Sequence, residues 1–395
     1  MDITVYPSML EGTVKAIASK SQAHRLFICA AFADKPTELT ISETNEDIEA
    51  TVGCLCALGA RIKRTDTGYI VFPVEKVPHC AALNCKESGS TLRFLLPVVG
   101  ALGVDALFRT EGRLGERPIS PLKEEMERMG CRITRPTPST IHCQGSLRPG
   151  NYSIDGSVSS QFISGLLFAC ALMDGKSSIN IIGKLESTPY VNMTWNTLNQ
   201  FGITANNLGL TKPTSPQYID VEGDWSNAAF FLASGALGNS VTVSNLNPES
   251  VQGDRVCHEI FKNGNTPIRL NCADCPDLVP ILSIYAAASN GGEFTGIRRL
   301  RLKESDRIAS TCNMLKALGI EAVADDSKII VKPGQILGGT VDSCNDHRIA
   351  MSAAIAATVA KSPVTILNAQ CVKKSYPRFW DDFKSLGGKY EQYVR

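Results

Sequence analysis

The chain has 395 residues, of which 43% are hydrophobic and 20% are charged, and its 40 Lys and Arg nearly balance its 39 Asp and Glu, for a net charge of +1. This composition indicates a globular protein of one large or two medium domains and excludes the strongly basic field that recruits nucleic acid or anionic membrane. The N-terminal residues lack the basic flank and apolar core of a signal peptide, and no apolar run reaches the length of a membrane span. We therefore expect a cytoplasmic protein that acts on small molecules, with no nucleic acid or membrane partner.

Fourteen cysteines are scattered through apolar segments of the chain. In a chain of this length without secretory features, such a distribution predicts reduced thiols in the core and not a disulfide framework. Cys272 and Cys275 form a C-x-x-C pair, but no second pair follows at zinc-ribbon spacing, which favours core packing over zinc. We predict no metal and no cofactor.

Six segments share a pattern in which an amphipathic stretch ends at a glycine and leads into a short strand-like run. Glycine just past a helix adopts the left-handed conformation without a side-chain penalty, so each of these glycines predicts a helix end. Their spacing suits an α/β unit of several strands and two helices, so six units suggest two domains of three. The glycines are Gly59, Gly130, Gly202, Gly264, Gly319 and Gly387.

The domain boundary is predicted near residue 222. An alternating, strand-like run within the stretch from Tyr218 to Asp224 ends at a glycine, follows a Pro- and Thr-rich loop and precedes the second half of the glycine series. The strand-like N-terminal stretch lies before the first unit and can pair with the other domain. We predict a discontinuous domain of residues 1–18 and 222–395 and an inserted domain of residues 19–221.

The stretch SKSQAHRLF, from Ser19 to Phe27, carries many hydrogen-bond donors just before an apolar run. Ser19 and Gln22 match a capping box, which predicts a helix start there. The free N–H groups of that first turn, together with Lys20, Ser21 and Arg25, would bind an anion. A capped surface helix with solvated charges is the alternative interpretation.

Four further donor clusters stand at predicted helix starts. In one of them Gly89 would let the backbone approach a ligand closely, and in two others an arginine could bind a phosphate or carboxylate with two parallel hydrogen bonds. Plain N-caps and surface ion pairs are the alternatives. Since the five clusters lie on both predicted domains, together they favour a ligand with several anionic groups held between the domains. The four clusters are residues 87–93, 157–162, 303–307 and 345–348.

The motifs SKSQAHR, SGSTLR, GERPI, SVSSQF, ESTPY, DCPD, LKESDR, NDHRIAM and KKSYP occur in the order typical of 5-enolpyruvylshikimate-3-phosphate synthases, and the chain resembles this family almost end to end. LKESDR and NDHR are highly specific in combination, whereas SGSTLR alone is not. The resemblance implies an α/β (α+β) fold of two similar domains, each made of three βαβαββ units in an inside-out α/β barrel. A double crossover hinge would join the domains, with the active site in the cleft between them.

The resemblance also implies the reaction. The enolpyruvyl group of phosphoenolpyruvate would be transferred to the 5-hydroxyl of shikimate 3-phosphate through a tetrahedral intermediate, giving 5-enolpyruvylshikimate 3-phosphate and phosphate. This is the 3-phosphoshikimate 1-carboxyvinyltransferase step of the shikimate pathway to chorismate and aromatic amino acids, and the family is the target of glyphosate.

Motif by motif, the resemblance assigns binding residues. The discontinuous domain would carry much of the phosphoenolpyruvate site and the inserted domain much of the shikimate 3-phosphate site. Phosphoenolpyruvate would contact Lys20, Gly89, Arg117, Gln161, Arg307, Arg348 and Lys374. Shikimate 3-phosphate would contact Lys20, Ser21, Arg25, Ser159, Ser160, Gln161, Ser187, Tyr190, Asp277 and Lys303.

The chemistry needs a base near the nucleophilic hydroxyl and an acid that protonates the methylene carbon of phosphoenolpyruvate. Asp277 is the predicted base, although its local sequence, directly after Pro276, by itself favours an N-cap. Glu304 and Lys20 are the candidates for the acid. His347 is a further candidate, with a structural hydrogen-bonding role as its alternative.

One departure from the family pattern and two alternative functions stay open. Glu87 stands where many members have asparagine, which places an extra anion beside a site for anionic substrates and leaves glyphosate sensitivity undecided. The related UDP-N-acetylglucosamine enolpyruvyl transferases carry a loop cysteine, which residues 111–119 lack. A non-enzymatic repeat protein that binds phosphometabolites or RNA is the other alternative. We expect a monomer.

Overall fold

A computed structural model describes residues 1–264 and 266–393, so Asn265 of the fourth glycine-containing segment lies outside the described residues. The chain divides into two compact units. The discontinuous unit consists of Met1–Ile17 and Gly223–Arg395, and the inserted unit consists of Ala18–Glu222. Each unit has a hydrophobic core of its own.

Helices alternate with strands along most of the chain. In the inserted unit they are α1 (Lys20–Ala31), α2 (Glu46–Ala57), α3 (Gly89–Leu102), α4 (Leu122–Arg128), α5 (Ser160–Leu172) and α6 (Thr188–Gln200). In the discontinuous unit they are α7 (Trp225–Ala236), α8 (Val256–Lys262), α9 (Val279–Ala288), α10 (Arg307–Ala317), α11 (His347–Thr358) and α12 (Phe379–Ser385).

The strands are short and belong to several small sheets. Those of the inserted unit are β3 (Thr37–Thr40), β4 (Arg61–Arg64), β5 (Gly68–Phe72), β6 (Cys80–Asn84), β7 (Asp105–Arg109), β8 (Cys131–Thr137), β9 (Thr140–Gly145), β10 (Asn151–Asp155), β11 (Ser178–Ile182) and β12 (Tyr218–Asp220). Those of the discontinuous unit are β1 (Asp2–Tyr6), β2 (Glu11–Lys15), β13 (Ser240–Ser244), β14 (Ile268–Asn271), β15 (Gly292–Thr295), β16 (Ala322–Ala324), β17 (Lys328–Val331), β18 (Gly339–Asp342), β19 (Val364–Leu367) and β20 (Lys389–Tyr393).

The two units repeat the same sheet pattern. In the inserted unit the strand orders are β12-β3-β5-β4, β6-β7-β9-β8 and β10-β11, and in the discontinuous unit they are β18-β19-β1-β20, β14-β15-β17-β16 and β13-β2. In each four-stranded sheet one pair of strands is parallel and the rest are antiparallel, as a βαβαββ unit requires. Each unit thus consists of two four-stranded sheets and one two-stranded parallel sheet over the described residues.

Two sheets recruit a strand from a distant part of the chain. The N-terminal strand β1 pairs with β19 and β20, so residues before the inserted unit complete the last sheet of the discontinuous unit. Likewise β12, at the end of the inserted unit, pairs with β3 near its beginning. These pairings tie the first and last segments of each unit together.

The helices form the interior of each unit. Every residue of α11 and most residues of α3, α5 and α9 are buried, whereas β8 exposes most of its residues. A helix that is apolar on all sides needs this central place. Cys272 and Cys275 are also buried in the core of the discontinuous unit, in line with the packing role expected for them. Over the part of the chain that the structure describes, no helix combines the length and apolarity needed to cross a membrane.

The predicted helix ends follow the glycine pattern with one exception. The backbone is left-handed at Gly59, Gly130, Gly202, Gly319 and Gly387, each two residues after the last helical residue. Gly264 does not have a positive φ, so α8, the helix that precedes it, ends without this motif.

The helix start at Ser19 is confirmed, but the capping box is only half formed. The Ser19 hydroxyl accepts a hydrogen bond from the Gln22 N–H, as the pattern predicts. The return bond is missing because the Ser19 N–H donates to the Glu222 carbonyl at 2.8 Å. The Gln22 side chain accepts instead from the Glu222 N–H at 2.7 Å, and this exchange fixes the start of α1 to the end of the inserted unit.

Candidate active site

Arg307 lies at the centre of a charged cluster in the discontinuous unit. Its side chain is only 1% exposed, and it contacts three carboxylates. Nε lies 2.9 Å from Asp346, Nη1 lies 2.6 Å from Asp277, and Nη2 lies 2.6 Å from Glu304. Burial would lower the pKa of Arg307, but Asp346, Glu304 and Asp277 raise it. The guanidinium is therefore charged at any physiological pH, and its position is fixed at all three nitrogens.

The starts of three helices supply these groups. Arg307 is the first residue of α10, and Asp346 is the N-cap of α11, where it also accepts from the Arg348 N–H at 2.9 Å. Asp277 lies in the short 3₁₀ turn before α9. Since helix N-termini carry unpaired N–H groups and a partial positive charge, this arrangement gathers positive potential at one place.

Asp277 binds cations and does not cap a helix. No side-chain capping bond forms at the start of α9, so the N-cap alternative for this residue is wrong. Its carboxylate contacts Arg307, lies 3.1 Å from the Lys303 ammonium and lies 3.7 Å from Arg348. Burial alone would raise the pKa of Asp277, but Lys303, Arg348 and Arg307 hold it well below the ordinary value. In this state Asp277 is ionised and only weakly basic.

Two more cations lie near the start of α11: Arg348 in its first turn, and Lys374 from the 3₁₀ turn after β19. Arg348 is 3% exposed, donates from Nη1 to the Ser226 carbonyl at 2.8 Å, and lies over the Phe230 ring at 5.8 Å. Its Nε is buried and meets no hydrogen-bond acceptor among the described residues. Lys374 donates to the Asn345 carbonyl at 3.0 Å, and His347 is buried beside Arg348. The Nε–H of Arg348 can therefore donate to a bound anion.

In the inserted unit, Gly89 lies beneath two guanidinium groups. A Cβ added to Gly89 would lie 2.9 Å from Nη1 of Arg117 and 3.4 Å from Nη1 of Arg93, so a larger residue would displace these side chains. Arg93 also donates to the Gln161 amide oxygen at 2.7 Å, and the Gln161 amide nitrogen donates to the Ser90 hydroxyl at 2.9 Å. The starts of α3 and α5 thus share one network of donors.

Arg25 connects α1 to α6 in a second network. Its Nε donates to the Thr194 hydroxyl at 2.8 Å, and its two terminal nitrogens donate to the carbonyls of Ser21 at 2.6 Å and Tyr190 at 2.9 Å. Burial lowers the pKa of Arg25 to about 10, which still leaves it charged at neutral pH. Arg25 therefore positions Ser21 and Tyr190 as well as carrying a charge.

The remaining predicted residues of the inserted unit stand at helix starts or beside an anion. Ser159 is the N-cap of α5 and accepts from the Gln161 N–H, Ser160 is buried in the first turn of that helix, and Ser187 is the left-handed N-cap of α6. Lys20, the first residue of α1, lies 2.8 Å from Asp47. The Glu87 carboxyl lies over the backbone of Gly112, where an added Cβ would come within 2.6 Å of it.

Within each unit, many of the predicted site residues form connected groups. Asp277, Lys303, Glu304, Arg307 and Arg348 share direct contacts in the discontinuous unit. Arg93 donates to Gln161 and lies with Arg117 over Gly89, and Ser21, Arg25 and Tyr190 form another group in the inserted unit.

Sequence reasoning overlooked three side chains that organise these groups: Asp346, Arg93 and Asp47. Asp346 and Arg93 stand inside quoted motifs. An Asp before an apolar run is an N-cap signal, so the sequence could have marked Asp346 as a helix cap. The partners of these side chains could not be predicted, because a pairing such as Arg307 with Asp346 exists only in the folded chain.

Comparison with known proteins identifies the family. A profile described as EPSP synthase (3-phosphoshikimate 1-carboxyvinyltransferase) matches residues 5–383. A 3-phosphoshikimate 1-carboxyvinyltransferase of Clostridium kluyveri is 37% identical over 99% of this chain and 98% of its own length, and one of Clostridium perfringens is 36% identical over 98% of each.

The chain belongs to the EPSP synthase family. The fold agrees, because an EPSP synthase structure from Acinetobacter baumannii matches with a TM-score of 0.80 and 25% identity over 99% of this chain and 100% of that one. As a chain of the EPSP synthase family, the protein has the two-domain α/β fold that the motif order implied.

We predict that the Arg307 cluster contributes strongly to the stability of the discontinuous unit. Arg307→Met should lower its free energy of unfolding by about 3–5 kcal/mol, since it leaves the buried carboxylate of Asp346 without its cation and removes one cation from the partly buried Asp277 and Glu304. Denaturant unfolding followed by circular dichroism measures this loss.

Arg301→Met is the matched control for Arg307→Met. Arg301 also contacts two carboxylates, Asp306 and Asp326, but its side chain is 40% exposed. Removing an exposed pair should cost far less, because water and salt screen it. Equal losses for the two variants would contradict the importance assigned to Arg307.

Proposed function

We propose that the protein is a 3-phosphoshikimate 1-carboxyvinyltransferase, which transfers the enolpyruvyl group of phosphoenolpyruvate to the 5-hydroxyl of shikimate 3-phosphate and releases phosphate. The observation that carries the proposal is the Arg307 cluster, in which cations and carboxylates from three helix starts meet in a chain that matches the family end to end. The relatives from Clostridium carry the name of this activity.

Both proposed substrates are polyanions, and the described residues offer cations for them. Arg307, Arg348 and Lys374 of the discontinuous unit, together with Lys20 and Arg117 of the inserted unit, are proposed to bind phosphoenolpyruvate. Shikimate 3-phosphate is proposed to bind Ser21, Arg25, Tyr190 and the other hydroxyl and amide groups predicted above, with Asp277 and Lys303 at its reacting end. The proposal requires residues of both units to bind the same pair of substrates.

The cations around Asp277 explain how its basicity could follow substrate binding. In the free protein Lys303, Arg348 and Arg307 hold the pKa of Asp277 low. An anionic substrate that takes up the charge of Lys303 and Arg348 weakens this effect, so the pKa of Asp277 rises. Asp277 then becomes able to accept the proton of the 5-hydroxyl at the moment when the substrates are present.

The reaction needs one group that accepts the proton of the 5-hydroxyl and one group that donates a proton to C3 of phosphoenolpyruvate. The hydroxyl oxygen bonds to C2 of phosphoenolpyruvate as C3 gains a proton, which gives the tetrahedral intermediate. The bond between C2 and the phosphate oxygen then breaks with its electron pair leaving on the phosphate, and C3 returns a proton to the group that donated it. Glu304 and Lys20 are the proposed proton donors, and the fixed guanidinium groups stabilise the negative charge of the departing phosphate.

Release of inorganic phosphate tests the substrate assignment. Phosphate should appear when phosphoenolpyruvate is mixed with shikimate 3-phosphate and should be absent with phosphoenolpyruvate alone. A parallel reaction with UDP-N-acetylglucosamine tests the related transferase activity, for which residues 111–119 provide no cysteine. Release with the sugar nucleotide only, or with neither acceptor, would overturn the proposal.

Asp277→Asn tests the base. The amide keeps the shape of the carboxylate but cannot accept the hydroxyl proton, so turnover should fall by about 10²–10⁴-fold. Binding of shikimate 3-phosphate, measured by calorimetry, should not weaken, because the neighbouring cations lose a competing anion. Unchanged turnover would remove Asp277 from the role of base.

A further inference from the structure

Another buried carboxyl, that of Asp254, lies near this site and has no part in the proposed reaction. Asp254 stands in a short 3₁₀ turn and is 3% exposed. It accepts a hydrogen bond from the Ser226 hydroxyl in the first turn of α7. The neighbouring Gln252 accepts from the Trp225 N–H at 3.1 Å. The turn is therefore fixed to the start of α7 by two side chains.

Ser226 connects Asp254 to the charged cluster. Its hydroxyl contacts Asp254, while its carbonyl accepts from Nη1 of Arg348 at 2.8 Å. The other terminal nitrogen of Arg348 lies 3.7 Å from Asp277. Asp254, Ser226, Arg348 and Asp277 thus form one continuous path of contacts through a region that excludes most water. Charges along such a path influence each other more strongly than they would in solvent.

The surroundings of Asp254 set its proton affinity near the physiological range. Burial, Asp277 and Asp224 raise its pKa, Ser226 and Arg348 lower it, and the result is a pKa of about 7. The adjacent thiols of Cys257 and Cys275 stay neutral, because burial raises the pKa of Cys257 and a hydrogen bond with Cys272 and burial raise that of Cys275. Two other titratable groups nearby have partners of their own: His258 packs on Trp225, and Arg255 donates to the Pro248 carbonyl.

We propose that Asp254 is a positioning residue that, by gaining or losing a proton, changes the charge around Arg348 and Asp277 and so the affinity for phosphoenolpyruvate. The inference rests on the proposed function. When Asp254 is protonated, the charge of Arg348 is available to an anionic ligand. When Asp254 is ionised, its negative charge offsets Arg348 and repels the ligand. The affinity is therefore greatest below the pKa of Asp254 and falls as pH rises through it.

The test is the KM of phosphoenolpyruvate at saturating shikimate 3-phosphate, measured from about pH 5.5 to about pH 8.5 for the wild type and for Asp254→Asn, a range that brackets an ionisation near neutrality. The amide has the shape of the protonated acid and does not ionise. Dividing the KM of the wild type by the KM of Asp254→Asn cancels the effect of the ionisation of the substrate's own phosphate, which is the same for both proteins. This ratio should lie near one at the acid end and increase by about three- to tenfold at the alkaline end, as expected for a coupling of half to one pKa unit.

Two control variants separate this effect from a structural one. Asp254→Glu keeps an ionisable group and should restore the pH dependence. Asp325→Asn changes another carboxylate that accepts from a serine hydroxyl, that of Ser327 at 2.6 Å, in an exposed turn of the same unit. Its KM ratio to the wild type should be constant across the pH range.

Ser226→Ala provides a test that does not depend on the folding of Asp254→Asn. The Ser226 hydroxyl lowers the pKa of Asp254, so its removal should move the rise in KM to higher pH, while the Ser226 carbonyl that binds Arg348 is kept. A KM ratio that is constant with pH for Asp254→Asn, or an unmoved midpoint for Ser226→Ala, would overturn the inference while leaving the proposed function intact. Absence of any turnover by the wild type would instead overturn the proposed function.

Discussion

The buried positive charge of Arg307 is the constraint on which the arrangement of the discontinuous unit depends. A guanidinium that is 1% exposed cannot be hydrated, so its charge must be compensated by nearby groups. Asp346, Asp277 and Glu304 compensate it, and each comes from a different turn at the start of a helix or just before one. The ion pairs therefore fix the relative positions of α9, α10 and α11 at their N-terminal ends.

The same constraint prepares the cluster to bind anions. Arg348 and Lys303 share the carboxylate of Asp277 with Arg307, so one anion faces three cations. Because Arg348 and Lys303 share this one carboxylate, their charges, added to the partial positive charges of the helix starts, favour a phosphate or a carboxylate. Asp277 then has two successive roles in the proposed mechanism. It holds the cations in place in the free protein, and it becomes a base once the substrates take over part of their charge.

Local signals in the sequence predicted much of the fold and the positions of the site residues. The helix start at Ser19 and the helix ends at Gly59 and Gly319 follow from capping and glycine chemistry, which act within a few residues. The family motifs marked the residues at the starts of α10 and α11. These features were predictable because each depends on neighbours along the chain.

Features that depend on distant residues were not predictable from one sequence. Arg307 and Asp346 are 39 residues apart, and nothing in their local sequence indicates that they form a buried pair. The Gln22 side chain bonds to Glu222 instead of to Ser19, 200 residues away along the chain. The sequence indicated that the N-terminal strand can pair with the other domain, but not that β1 joins β19 and β20 in the last sheet. In each case the partner was decided by tertiary contacts, because the local sequence was compatible with more than one partner.

In the proposed mechanism, substrate binding releases Asp277 from its cations and makes it more basic. The direct measurement is a ¹³C NMR titration of the Asp277 carboxyl, assigned with the Asp277→Asn variant, in the free protein and with shikimate 3-phosphate bound. The account predicts a pKa well below the ordinary 3.8 in the free protein and an increase of about one unit or more in the complex. A pKa that is unchanged or lower in the complex would contradict it.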